Sequence, residues 1–246
     1  MRRAVRPLAG LVLLLGGCTC AAPTASDRPD DVVHEDDSDD WPLAHAPPTG
    51  PDGPYEATTP TGERLTGQFF QGARHGTWSA FNPAGVLVAK GSFDLGELRG
   101  AAWTYYDDGA IKEFGHYDGG QAVGPWMVSW PDGSSFAELE QLDGEPHGSF
   151  SVFFPGNRIA DRRTYEHGKQ VGVEQNYGPD GRLIAEGFFV ADRPAPPWRC
   201  HDESGVRELP APTARITPRE ACGFGPGPES PEDFERFGGV APAVSR

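Results

Sequence analysis

Four histidines, His75, His116, His147 and His167, and acidic pairs such as Asp107-Asp108 and Glu138/Glu140 are the residues whose types suit metal ligation or proton exchange. Their spacing argues against both. His75 and His147 hold equivalent positions three repeats apart, and six strand steps of about 4.8 Å set them roughly 29 Å from each other. One ion with ligand bonds of about 2 Å does not span that gap. The acidic pairs fall in turns and on strand faces, away from any cleft that would perturb them. Gly119-Gly120-Gln121-Ala122-Val123-Gly124 lacks the Lys-Ser/Thr of a phosphate loop, and no cysteine sits in a nucleophile motif. No catalytic residue, metal or cofactor is assigned, so the chain reads as a binding protein rather than an enzyme.

The cysteines suggest other chemistry. Arg2, Arg3 and Arg6 precede an apolar run from Leu8 to Leu15, the layout of a secretory signal too short for a permanent span. Leu15-Gly16-Gly17-Cys18 follows it and resembles the lipobox of bacterial lipoproteins. That resemblance implies removal of residues 1–17, acylation of Cys18 and a lipid anchor in the cell envelope. Thr19, where Asp would suggest inner-membrane retention, favours the outer membrane. Cys200 and Cys222 form the natural disulfide pair of an exported chain, which leaves Cys20 unpaired.

Glycine shows what positions all of this. Gly72, Gly96, Gly120, Gly144 and Gly168 form one series and Gly76, Gly100, Gly124, Gly148 and Gly172 another, each with a stride of 24 residues. Such a period marks a stacked array in which no unit buries its apolar face alone. Each unit carries two runs rich in aromatic and β-branched residues, for example Trp103-Thr104-Tyr105-Tyr106 and Ala110 to Tyr117, separated by Gly-containing turns, Asp-Asp-Gly or Pro-Asp-Gly in three of the five. The reading is all-β: an elongated antiparallel meander of about ten short strands. An acidic and Pro-rich disordered tether, residues 18–54, precedes a repeat domain at 55–192, and a Pro-rich tail with irregular capping turns fills 193–246. Within the tail, Thr217-Pro218-Arg219-Glu220 and Ser230-Pro231-Glu232-Asp233 each read as a capped single-turn helix. The tail is expected to cover the open end of the sheet.

The sequence Gly-x-Phe/Tyr, a turn Gly, Gly-x-Trp, an aromatic and then Asp-Gly resembles the MORN-variant repeat of bacterial proteins labelled antitoxin-like, the YwqK type. The resemblance covers Gly62 to about Phe189 and implies a ribbon of stacked hairpins. The fourth and fifth units depart from it. Leu139 and Arg163 replace the glycine found at 67, 91, 115 and 187, Gln141 replaces a strand aromatic, and Glu174 stands where Trp78 and Trp126 stand in their units. Those units are expected to pack less regularly.

Charge narrows the partner. The chain carries a formal −15, and an acidic array repels phosphate backbones, so nucleic acid is disfavoured. Phe69, Phe93, Tyr117, Tyr165 and Phe189 share one repeat position and read as a packing ladder. Trp103, Tyr106, Trp126 and Trp130 enrich the middle of the array and form the candidate binding surface. The resulting expectation is a lipid-anchored envelope scaffold that binds an envelope protein. Glycan or peptidoglycan binding by exposed aromatics is the alternative, and an antitoxin or immunity role follows only from the family label.

Overall fold

The structure, a computed structural model, describes residues 42–212, 216–225, 227 and 228. The expected signal peptide, Cys18, Cys20 and the second expected tail helix lie outside the described residues. A short 3-10 turn, Pro42–His45, leads into β1 (Gly53–Thr58), β2 (Arg64–Phe70), β3 (Ala73–Phe81), β4 (Leu87–Asp94), β5 (Glu97–Tyr105), β6 (Ile111–Asp118) and β7 (Gln121–Ser129). Then follow β8 (Ser135–Leu142), β9 (Glu145–Phe154), β10 (Arg158–Glu166), β11 (Lys169–Tyr177), β12 (Leu183–Val190), β13 (Arg193–Asp202), β14 (Gly205–Leu209) and a helix, α1 (Pro218–Ala221). Among the described residues the strands form a single antiparallel sheet of 14 in sequence order, an open meander in which every strand pairs with its chain neighbours.

Two glycine roles generate the period. At the short turns Gln71 and Gly72 have φ of 53° and 75°, and Leu95 and Gly96 have 45° and 91°. Two successive positive φ values define the type I′ hairpin, whose twist matches the strands it joins. Gly96 N–H also donates to Arg74 O at 2.8 Å, Gly120 to Leu98 O at 2.9 Å and Gly144 to Ala122 O at 2.9 Å. Each short turn is thereby bonded to the preceding hairpin. The second glycine series sits at bulges: Thr66 and Gln68 of β2 face Ser79 and His75 of β3, so extra residues around Gly76 are left unpaired.

The period outruns the glycines. Asp192, at φ 66°, occupies the sixth short-turn position, and β13 and β14 add to the sheet residues that the sequence reading gave to an irregular tail. Pro194 to Pro197 looked like an exit from the array. In the structure Glu186 and Phe188 pair with Arg199 and Ala195, which places Pro196 and Pro197 in the bulge, where no ladder N–H is required. The Pro196-Pro197 peptide is cis.

Register assigns the faces. Leu65, Ala80, Ala89, Thr104, Glu113, Val128, Ala137, Val152, Asp161, Asn176, Ala185 and Cys200 are directly opposed from β2 to β13, and the core lies on this face. A single layer buries a tryptophan here by laying it flat over the glycine of the preceding strand. A Cβ at Gly67 would meet the Trp78 ring at 2.2 Å, and one at Gly115 would meet Trp126 at 2.2 Å. Phe69, Phe93, Tyr117 and Phe189 of the ladder are buried beside them.

Both ends of this face are covered. Leu43 and Ala46 are buried, Arg74 Nη1 donates to Leu43 O at 3.2 Å, and Gly50 N–H donates to Gly72 O at 3.2 Å. Residues 42–54, read as the last part of a tether, are therefore docked on the sheet through Leu43 and Ala46, with the 3-10 turn against β3 and β4. At the other end α1 lies against β11, β12 and β13, on the sheet face rather than over its edge. The edge strand β14 is mostly exposed, with Val206 61% accessible.

Candidate binding surface

The face opposite the core carries its own continuous row. Thr66, Ser79, Lys90, Trp103, Phe114, Met127, Glu138, Ser151, Arg162, Gln175, Glu186 and Arg199 are successive cross-strand partners. With strands about 4.8 Å apart, the row places one side chain per strand step across the sheet. Its centre is apolar: the Trp103 and Phe114 ring centroids are 5.5 Å apart at 37°, with Met127 next in line. Lys90 Nζ lies 5.2 Å from the Trp103 ring centroid, and His116 meets Phe114 edge-on at 5.2 Å. Trp103, Phe114 and Met127 are half-buried.

Of the four aromatics expected at the surface, two do not belong there. Trp126 and Trp130 are buried in the core, and Trp130 Nε1 donates to Phe153 O at 3.0 Å. Trp126 stands 48 residues after Trp78 and so shares its inward phase. Tyr106 is half-buried and its hydroxyl donates to Ser129 O at 2.6 Å. Trp103 alone joins the outward row, together with Phe114 and Met127, which sequence reasoning missed. The available clue was phase: a residue just before the repeat glycine, such as Phe114 before Gly115, points opposite to the tryptophan that covers that glycine.

Further along the same face lies a shallow polar depression of about 390 Å³, lined by Ser149, Ser151, Arg162, Thr164, Val173 and Gln175. The histidines do not assemble a metal centre. His75 pairs with Asp94 at 3.4 Å, His147 and His167 meet edge-on with centroids 4.9 Å apart, and no group of three or more His, Cys, Asp or Glu is placed to hold a metal among the described residues.

The departures at 163 and 174 are brought together on β10 and β11. Arg163 Nε donates to Asp161 Oδ1 at 2.7 Å, and Arg163 Nη2 is 3.8 Å from Glu174 Oε1, all three being buried. Asn176 Nδ2 donates to Asp161 Oδ2 and, at 3.1 Å, to Glu174 Oε1, while Gln170 Nε2 donates to Glu174 Oε2 at 2.7 Å. Burial pushes the Asp161 carboxyl up to about 7 against the opposing pull of Arg163, with Glu174 adding to the rise. Among the described residues this is the most perturbed carboxylate, but it is sealed on the core face and meets no cleft. Its partners make it a structural group. Cys200 and Cys222 are joined by a disulfide that ties α1 to β13.

No family model matches the chain, and no curated protein matches it. Among solved structures it is similar to the Glycosylation Associate Protein (Gap123) complex from Streptococcus agalactiae, at 17% identity over 42% of this chain and 19% of that one, with a TM-score of 0.27. It is also similar to S. aureus TarM in complex with Fondaparinux, alpha-GlcNAc-glycerol and UDP, at 10% identity over 57% and 20% of the two chains, with a TM-score of 0.22. A third is a GtfA/B complex bound to UDP and GlcNAc, at 13% identity, coverage of 76% and 29%, and a TM-score of 0.17. The chain spans under a third of the length of each, and overlap at these scores carries no functional argument.

Proposed function

We propose that this is a lipid-anchored scaffold of the bacterial envelope, not an enzyme, which presents the outer face of a MORN-like β-repeat array to a protein partner. The observation that carries this reading is the half-exposed apolar segment Trp103, Phe114 and Met127 at the centre of the cross-strand row. A contiguous apolar strip rimmed by charged and polar side chains is the usual make-up of a protein interface. The anchor is Cys18, and the outer membrane is its favoured site. In-cell cross-linking of the full chain tests the interface. One envelope protein captured by the natural chain and lost with Trp103→Ala/Phe114→Ala is the expected result, and an unchanged set of captured proteins rejects it. Fatty-acid labelling that survives Cys18→Ala would reject the anchor.

A second reading, glycan binding, is favoured by the hydroxyl- and amide-lined depression around Ser149, Ser151, Thr164 and Gln175. Capture of wall fragments alone, without protein, would select it.

A further inference from the structure

The core face of β11–β13 departs from the repeat in a way that only its cover explains. Where Trp78, Trp126 and Trp198 each lie over a glycine, the fifth unit has Glu174 and Arg163, and the network they build converges on Asn176. The Asn176 amide nitrogen donates to both Asp161 and Glu174. With its donors committed, Oδ1 faces out as an acceptor and receives the backbone N–H of Arg219 at 2.9 Å. One residue along β11, Tyr177 O accepts Arg219 Nη1 at 2.9 Å, and the guanidinium lies 5.9 Å from the Phe154 ring centroid. Pro218 is buried. A Cβ on Gly187 would stand 2.7 Å from the Pro218 Cγ and 2.8 Å from the Trp198 ring, so the missing side chain at 187 makes the room that Pro218 fills.

A helix of four residues does not hold itself in water. The segment Thr217–Cys222 is placed by what receives it: a proline in an aromatic-walled niche, a main-chain N–H on a pre-oriented amide and a guanidinium on a carbonyl. These are the means by which a short peptide is read. We infer that β11–β13 form a docking niche for a Pro-Arg peptide segment, filled in cis by residues 217–222 and held shut by the Cys200–Cys222 disulfide, and that its occupant in trans is the same segment of a second copy. That segment is the one whose fit is visible, contact by contact. A dithiol reductant opens the niche. Its thiolate attacks Cys222 Sγ, the sulfur of the half-buried cysteine, and Cys200, which is buried, leaves as a thiolate and takes up a proton. The second thiol of the reductant then displaces Cys222 from the mixed disulfide. Two cysteine thiols are formed and the reductant is oxidised to its own disulfide.

The test uses the full chain carrying Pro218→Gly, Arg219→Ala and Cys222→Ser, which does not fill its own niche, and a fluorescent peptide of residues 216–224 with Cys222→Ser. Anisotropy is expected to rise saturably with this chain, to require about tenfold more protein when Asn176→Ala is added, and to stay flat with the oxidised natural chain. Failure to saturate while the β11–β13 amides keep their exchange protection overturns the inference. If that protection is lost, the natural chain decides: it is reduced and then reoxidised at high concentration. A dimer linked from Cys200 of one copy to Cys222 of the other supports the niche, and recovery of monomer alone overturns it.

Discussion

Gly115→Ala sets two physical effects against each other. Gly115 lies inside β6 without a positive φ, so conformational entropy alone predicts that alanine stabilises the fold by about 0.4–1 kcal/mol. The Trp126 indole predicts the opposite, because the new Cβ would sit 2.2 Å from its Cε2 and 2.3 Å from its Cδ2, more than an ångström inside ordinary contact. Neither group yields easily, one being ladder backbone and the other a buried ring, and overpacking of this kind costs about 1–3 kcal/mol. The net expectation is a loss of about 1–2 kcal/mol. Urea unfolding followed by circular dichroism measures it, with the same substitution repeated in a Trp126→Ala background. There the clash is gone and Gly115→Ala should be neutral or stabilising, a coupling of about 1–3 kcal/mol. Equal effects in both backgrounds would refute the claim that Trp126 is buried by lying over the glycine beneath it.

Other consequences are independent of that pair. Arg163→Ala strands Asp161 and Glu174 in the core and should cost about 3–5 kcal/mol, whereas Arg163→Gly/Glu174→Trp, which restores the pair used elsewhere in the array, should cost less than the single change; denaturant midpoints rank them. The folded Asp161 pKa of about 7 lies above its unfolded value of about 3.9, so the folded chain binds more protons between those limits. Its contribution favours folding at low pH and is lost as pH rises toward 7; Asp161→Asn should remove this slope from midpoints measured between pH 5 and 8 in about half-unit steps. Trp103→Ala and Phe114→Ala, on the outer face, should each lower stability by about 1 kcal/mol. Trp130→Ala, in the core, should lower it by about 3–5 kcal/mol, a contrast that thermal melts resolve.

The repeat was legible because a type I′ turn and a bulge both demand residues at home with positive φ, and glycine supplies them at a fixed stride. Legibility failed where the glycine is missing: Asp192 adopts φ 66° at a turn, and the bulge of β13 holds Pro196 and Pro197, which do not take a positive φ, so the last hairpin looked like a tail. Leu43 was hidden for a different reason, lying in a short Pro- and Ala-rich stretch directly after an acidic run, with its packing partner 31 residues away at Arg74. Arg163 and Glu174 were visible singly as breaks in pattern. Their union depends on strand pairing that places Arg163 beside Glu174 across one step, and burial of three charges with Asn176 cannot be inferred from either alone. For the binding surface, aromatic identity drew attention to Trp126 and Trp130 while phase pointed to Phe114 and Met127, and phase decides which face a side chain reaches.

The most direct test of the account is in-cell photo-cross-linking from single positions along the outer face, with the reactive residue placed in turn at Glu56, Pro125, Val173 and Glu208, all exposed. Adducts to one envelope protein that are strongest from position 125, beside Met127, and absent from the two edge strands are the predicted result. Adducts arising mainly from position 208 on β14, or equally from all four, would contradict a partner seated on Trp103, Phe114 and Met127.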